Sequence, residues 1–235
     1  MELLLQRINH NNMLGLGNTI TGGAVTEEAA WAPSDISSLI HWYKYDTGIT
    51  QDGDGDITAW ADREGSNNLT ASGDTADSPQ YDSGAVKFVE SGDDLDWDTP
   101  LSLGTLSFYM RFESDDVAVD WIVKGGSTDW IKIQDNTDFR LKMSNTRRDW
   151  ALSGISTDTK VNLGVERASN GDIGVFVNNS ALSPDGSSNI ATSSTFDITK
   201  IGSPLETVKM YEVLVFNDVL SSEDRGLLNT YLNTI

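Results

Sequence analysis

The stretch that decides the fold lies near the end of the chain and reads Thr207-Val-Lys-Met-Tyr-Glu-Val-Leu-Val-Phe216, then Asn217-Asp218-Val219-Leu220, then Ser221-Ser-Glu-Asp-Arg-Gly-Leu-Leu-Asn-Thr-Tyr-Leu232. β-branched and aromatic residues dominate its first part, and the unbroken apolar run 213–216 predicts a strand that is covered on both faces. Asn217-Asp218 predicts a turn. Ser221 with Asp224 three residues later has the pattern of a helix N-cap. We therefore expect a strand, a turn and a short closing helix whose inner side carries Leu227, Leu228, Tyr231 and Leu232.

Four blocks of the sequence resemble one known family. Tyr211-Glu-Val-Leu-Val-Phe-Asn217 with Leu220-Ser-Ser-Glu-Asp-Arg225 is similar to the terminal signature of concanavalin A-like (laminin G-like) jelly-roll domains, as found in phage virion proteins. Leu39-Ile-His-Trp-Tyr43, Gly55-Asp-Ile-Thr-Ala-Trp-Ala-Asp62 and Val86-Lys-Phe-Val-Glu-Ser-Gly-Asp-Asp-Leu95 are similar to its opening blocks. The resemblance covers residues 31–235. It implies an all-β fold, a two-sheet antiparallel β-sandwich with a short C-terminal helix, and a binding or structural role.

Short strands separated by turns are predicted along the rest of this region. Within 105–113 the apolar residues Leu106, Phe108, Met110 and Phe112 alternate with polar ones, which is the two-residue period of a half-buried strand. Asn170-Gly171 between apolar runs predicts a hairpin. Further strands are expected near 39–45, 85–89, 120–124, 130–134, 139–143, 160–166, 174–178 and 196–201.

Composition excludes several classes of function. The 235 residues include no cysteine, so disulfides and thiolate metal sites are excluded. With 36 acidic and 16 basic residues the formal charge is -20, which repels nucleic-acid phosphates. No apolar run is long enough to cross a membrane. We therefore expect neither a nucleic-acid partner nor a membrane partner.

Residues 1–30 are predicted to form an extended N-terminal arm outside the sandwich. The segment is rich in Gly and Asn, and alone in water it could not bury enough apolar surface to offset its ordering entropy. It still carries many apolar residues, so we expect it to order on a partner subunit; the alternative is a frayed terminus. The predicted contact residues are Leu3, Leu4, Leu5, Ile8, Met13, Leu14 and Leu16.

Two acidic stretches are candidate ligand sites. Asp52, Asp54 and Asp56 alternate with glycines and could gather oxygen ligands for Ca²⁺, although Ile57 stands where an EF-hand loop needs Gly; the alternative is a plain turn. Asp94 and Asp96 beside Trp97 could hydrogen-bond and stack on a sugar; the alternative is a solvated loop with the indole turned inward. Other candidate sugar platforms are Trp121, Trp130 and Trp150.

No catalytic constellation is predicted. Glycoside hydrolases with this sandwich carry Glu-x-Asp-x-x-Glu, whereas Glu113-Ser-Asp115 is followed by Ala118 at the third acidic position. Glu212, inside the closing strand, is expected to be a structural carboxylate. No serine and histidine combination typical of acyl-transfer enzymes is visible around His10 or His41. We therefore expect no enzyme activity.

A local reversal of charge is also visible. Arg140, Lys142, Arg147 and Arg148 fall close together and predict a basic patch on a hairpin, suited to an acidic neighbour. The alternative is scattered surface charge that balances Asp138 and Asp149.

The function predicted from these features is that of a virion structural protein, a capsid decoration or a tail- or fibre-associated subunit. It would be made in the host cytoplasm without a secretion signal and released by lysis. Residues 1–30 would anchor it to other virion proteins as part of an oligomeric assembly. The alternative is a lectin-like adhesion module that binds a cell-surface glycan, and a glycoside hydrolase ranks third.

Overall fold

The computed structural model describes residues 31–71, 78–89, 92–117, 121–202 and 207–235, apart from the side chain of Trp121. Residues 1–30, where the arm is predicted, lie outside this part. Residues Trp31–Ile235 form one compact unit. No helix in the described ranges is both long enough and apolar enough to span a bilayer.

One antiparallel sheet contains the closing strand. Its strands are β1 (Leu39–Tyr43), β5 (Gln80–Asp82), β6 (Ala85–Phe88), β8 (Leu106–Ser114), β13 (Val161–Arg167), β14 (Ile173–Val177), β15 (Ser180–Ala181) and β18 (Val208–Phe216). Their order is β15-β14-β13-β8-β18-β6-β5, and β1 also pairs with β18. The closing strand therefore lies in the interior of the sheet, as its apolar run predicts.

The second antiparallel sheet packs against the first. Its strands are β2 (Ile49–Gln51), β3 (Ile57–Trp60), β4 (Leu69–Ala71), β7 (Asp94–Leu103), β9 (Trp121–Lys124), β10 (Trp130–Ile133), β11 (Asp138–Met143), β12 (Thr146–Ala151), β16 (Ser183–Pro184) and β17 (Phe196–Gly202). Their order is β16-β12-β11-β10-β9-β17-β7-β4-β3-β2. Between the sheets lies a core that includes the fully buried rings of Tyr43, Trp60, Phe88, Phe108, Phe112, Phe139, Trp150 and Phe196.

The C-terminal helix, α1 (Ser222–Leu232), covers the outer side of β18. The Ser221 hydroxyl accepts a hydrogen bond from the Asp224 amide at 3.0 Å, which confirms the predicted N-cap. Leu228 and Leu232 are buried in a second apolar cluster. Leu227 is 38% exposed, so its assignment to the inner side of the helix is wrong. The fold is thus the predicted two-sheet sandwich with a short C-terminal helix.

Two strands of six or more residues are missing from the prediction. β7 includes Asp94 and Asp96, for which the sequence suggests a sugar site or, as the alternative, a solvated loop. β12 follows β11 in the hairpin that carries the predicted basic patch. In β7, Leu95 and Trp97 are buried and alternate with Asp94 and Asp96. This alternation of buried apolar and acidic residues indicates a strand, but so many acidic residues close together are more typical of a solvated loop.

Candidate functional site

The outer surface of β9–β12 is the candidate site. In β10 and β11 the residues Ile131, Ile133, Phe139 and Leu141 are buried in the core. Because successive strand residues point to opposite faces, Trp130 lies on the outer surface, where it is partly exposed. The indole therefore presents part of its surface to solvent in the middle of this sheet.

Strand register surrounds this tryptophan with basic residues. Trp130 is paired with Lys124 of β9 on one side and with Lys142 of β11 on the other. Lys132, two residues along β10, is paired with Arg140, and Lys142 is paired with Arg147. We call the outward residues Lys124, Trp130, Lys132, Arg140, Lys142 and Arg147 the basic face.

The basic face corrects the predicted basic patch at one residue. Arg148 is paired with the buried Leu141, so it belongs to the opposite surface of the sheet, and its Nε donates to the Asn189 carbonyl at 2.9 Å. Lys124 and Lys132 are not among the residues predicted for the patch. The alternation in Trp130-Ile-Lys-Ile133 was the available signal for Lys132, whereas Lys124 is brought in by the pairing of β9 with β10.

The charge of the basic face is opposite to that of the whole chain. Among the ionisable side chains described on the outer side of β9–β12, the acidic ones are Asp138 and Asp149, against five basic ones. Arg140 contacts Asp138 at 3.1 Å and Arg147 contacts Asp149 at 2.8 Å. The Lys142 ammonium donates instead to a neutral group, the Ser127 carbonyl, at 2.8 Å. A net positive surface therefore lies around Trp130 on a protein of formal charge -20.

The predicted sugar site at Trp97 is not formed. Trp97 is only 3% exposed and faces the core, so no sugar ring can stack on it. Asp94 is buried against Lys200, with a carboxylate–ammonium distance of 2.6 Å, and Asp96 is 3.6 Å from the same ammonium. Burial lowers the pKa of Lys200, but the two carboxylates outweigh it and raise that pKa. These acids stabilise the pairing of β7 with β17. Of the other candidate platforms, Trp150 is also buried.

The predicted calcium loop is a self-contained turn. Oδ1 of Asp52 accepts the backbone N–H groups of Asp54 at 2.9 Å and Asp56 at 3.0 Å. Within the described ranges, no three His, Asp or Glu side chains come close enough together to hold a metal ion. The three carboxylates predicted to bind Ca²⁺ are therefore not gathered around one point in the structure, and Oδ1 of Asp52 is used by the turn itself.

Glu212 is a structural carboxylate, as predicted. It is fully buried, and it accepts hydrogen bonds from the Trp42 indole N–H at 2.6 Å and from the Tyr45 amide at 3.1 Å. Burial raises the pKa of Glu212, and its donors, including the Tyr231 hydroxyl, only partly oppose this. The group joins β1, β18 and α1 and has no exposed surface for a substrate.

The remaining titratable candidates are also used within the fold. Glu113 lies 3.4 Å from the ammonium of Lys209, which also pairs with Asp82 at 3.0 Å. His41 contacts the buried Asp62 at 2.7 Å. Glu113 also lines a small pocket with Asp115 and Asp158, and the Lys209 ammonium in that pocket partners its charge. The arm residues predicted to bind a partner lie outside the described part of the chain.

Comparison with known proteins identifies the fold. No family profile and no curated protein sequence matches the chain. Among solved structures it is similar to Trypanosoma rangeli sialidase, with a TM-score of 0.60 and 13% identity over 84% of this chain and 33% of that one. It is also similar to the botulinum neurotoxin serotype D ligand binding domain in complex with N-acetylneuraminic acid, with a TM-score of 0.57 and 12% identity over 85% of this chain and 52% of that one. A structure concerning botulinum neurotoxin type C and its interaction with two ganglioside molecules matches with a TM-score of 0.53 and 15% identity, over 86% of this chain and 53% of that one.

The chain thus spans a third to about half of the solved proteins it matches. At these identities the likeness concerns the fold alone. The conclusion is that the compact unit, residues 31–235, has the fold of a two-sheet β-sandwich of the jelly-roll type.

Proposed function

We propose that this protein is a non-enzymatic carbohydrate-binding module and that the sugar contacts Trp130 on the basic face. The observation that carries the proposal is the position of this tryptophan, partly exposed at the centre of an outer sheet surface and flanked by lysines. An indole supplies a large apolar surface at low entropic cost, and the flanking side chains supply donors for sugar hydroxyls. Two of the similar solved proteins support a sugar ligand: the botulinum neurotoxin serotype D domain is in complex with N-acetylneuraminic acid, and the type C neurotoxin interacts with two ganglioside molecules.

The carboxylates support a binding role rather than catalysis. A glycosidase needs two carboxyl groups facing the scissile bond, one of which donates a proton. Here Glu212 is buried among its own donors and Glu113 is paired with Lys209. A module that binds sugar without cleaving it requires neither group to reach solvent.

The test is a glycan array probed with the wild-type chain and two variants. Trp130→Ala should weaken every carbohydrate signal at least about tenfold, because aromatic residues at the centre of an interface typically supply more than about 1.4 kcal/mol. Tyr81→Ala removes an aromatic residue that is 37% exposed on the other sheet and should leave binding unchanged. An array without a wild-type signal, or a Trp130→Ala chain that binds normally, would contradict the proposal.

We also propose, as a second function, attachment to a virion assembly through residues 1–30. The supporting observation is the number of apolar side chains in this Gly- and Asn-rich segment. Deletion of residues 1–25 should leave the thermal stability unchanged and abolish co-purification with capsid or tail particles. A deletion that unfolds the sandwich, or that leaves particle association intact, would refute the role of the arm.

A further inference from the structure

We propose that the ligand of the basic face is an acidic glycan, in which a carboxylate or sulfate on the sugar that stacks on Trp130 is bound by Lys142 and Lys124. This inference rests on the proposed carbohydrate-binding function and specifies its ligand class. Three features of the face support it: the spacing of the lysines, the state of the Lys142 ammonium and the charge of the rest of the chain.

The spacing suits a single ring with one acidic group. Residues directly opposite each other in an antiparallel pair have Cβ atoms about 4.5–5.5 Å apart. Lys124 and Lys142 stand in this position on the two sides of Trp130. Lys132, two residues further along β10, lies about 7 Å away along the strand. A ring placed on the indole is thus within reach of a lysine on three sides.

The Lys142 ammonium retains both charge and donors. An ammonium group has three N–H donors, and the Ser127 carbonyl accepts one of them. The arginines of the basic face differ, because Arg140 and Arg147 each contact a carboxylate on the same surface. A neutral sugar would leave the lysine charge unused, whereas an anion would form a charge-assisted hydrogen bond with it.

The surrounding charge restricts an anion to this surface. The chain carries 36 acidic residues, and a body of formal charge -20 repels anionic ligands elsewhere. An acidic protein surface would be attracted by the same charges. The partly exposed indole between two lysines, however, matches one sugar ring that carries one acidic substituent. Binding of a second copy of the chain is the competing explanation, and the variants below distinguish it from glycan binding.

The experiment uses matched pairs of immobilised glycans that differ only in one acidic group, such as a glucuronoside with its glucoside and a sialylated chain with its asialo form. The wild-type chain should bind the acidic members at least about tenfold more tightly, and a rise in salt that shortens the screening length should remove most of this preference. Equal binding of both members would overturn the acidic ligand while leaving the proposed carbohydrate function intact. No binding to either member would overturn both.

Variants locate the charge that is responsible. Lys142→Gln should lower the affinity for acidic members about three- to tenfold and leave neutral members within about twofold, and Lys142→Arg should restore the acidic preference. Lys87→Gln, on β6 of the other sheet, is the matched control and should change neither. Thermal melts confirm that each variant is folded. If Lys142→Gln changes the sedimentation coefficient of the protein alone but not its glycan preference, the face binds another copy of the chain and the proposal fails.

Discussion

Asp62→Asn tests how the opening part of the sandwich is held together. The Asp62 side chain is fully buried and lies in the loop after β3. One oxygen lies 2.7 Å from the His41 ring nitrogen and also accepts the Asn67 amide at 3.2 Å. The other oxygen accepts three backbone amides at 3.0–3.1 Å, those of Trp42, Glu64 and Gly65. An asparagine has the same shape but presents an NH₂ group where one of these oxygens accepts.

The magnitude follows from the pKa of Asp62. Burial alone raises this pKa, but the hydrogen bonds from His41 and from the backbone amides outweigh it and hold the pKa at about 2, against an ordinary value of 3.8. At about 1.36 kcal/mol for each pKa unit, the ionised carboxylate contributes roughly 2 kcal/mol to folding. Because the folded-state pKa is the lower one, this contribution is complete above the unfolded-state value and is lost as the pH falls through about 2.

The assay is urea unfolding of the wild type and Asp62→Asn at neutral and at acidic pH. The variant should lose roughly 2 kcal/mol of unfolding free energy at neutral pH, and more than half of this difference should disappear by about pH 2.5. Asp135→Asn is the control, since Asp135 also accepts backbone amides, from Thr137 and Asp138, but in an exposed turn. Equal effects of the two substitutions, or a difference for Asp62→Asn that does not vary with pH, would refute this reasoning.

Three further substitutions test other parts of the fold. Glu212→Ala should lower the unfolding free energy by about 3 kcal/mol, because it leaves buried indole and phenol donors without an acceptor; a melting temperature equal to that of the wild type would contradict this. Leu228→Ala should cost about 2–5 kcal/mol in urea unfolding, whereas the neighbouring Leu227→Ala, at an exposed site, should cost less than about 0.5 kcal/mol. Gly125→Ala should cost at least about 2 kcal/mol, since the new Cβ would lie 1.5 Å from a backbone oxygen, and Gly53→Ala, with nothing within 4 Å, is its control in the same melts.

The sequence predicts the closing strand and helix well because their local signals agree with one another. Residues 213–216 are apolar without interruption and are all fully buried, and the serine cap forms where the pattern places it. His41 and Asp62 lie in two separate blocks of the sequence that resemble the family, 21 residues apart, yet their side chains are in contact at 2.7 Å. That contact follows from tertiary structure, and no local pattern encodes it.

The candidate site is less predictable because it depends on which strands become neighbours. Arg148 is close in sequence to Arg147 but lies on the opposite side of the sheet, since successive residues of a strand alternate. Lys124 is distant from Lys142 in sequence, but both residues are paired with Trp130 of β10, from strands on its two sides. Alternation can be read from sequence, whereas the order of strands in a sheet requires the structure.

Trp97 and Trp130 show how far alternation alone can go. Trp97 shares its side of β7 with Leu95, and both are buried, whereas Trp130 shares its side of β10 with Lys132, and both are partly exposed. A tryptophan that lies on the same side of its strand as apolar residues belongs to the core. A tryptophan that lies on the same side as charged residues belongs to a candidate binding surface. Trp97→Ala should therefore cost about 3–5 kcal/mol of unfolding free energy and leave any residual folded protein able to bind glycan. Trp130→Ala should cost less than half as much in the same urea titration and should weaken glycan binding at least about tenfold. Equal losses of stability for the two variants would show that the side of the strand on which a tryptophan lies does not separate the two roles.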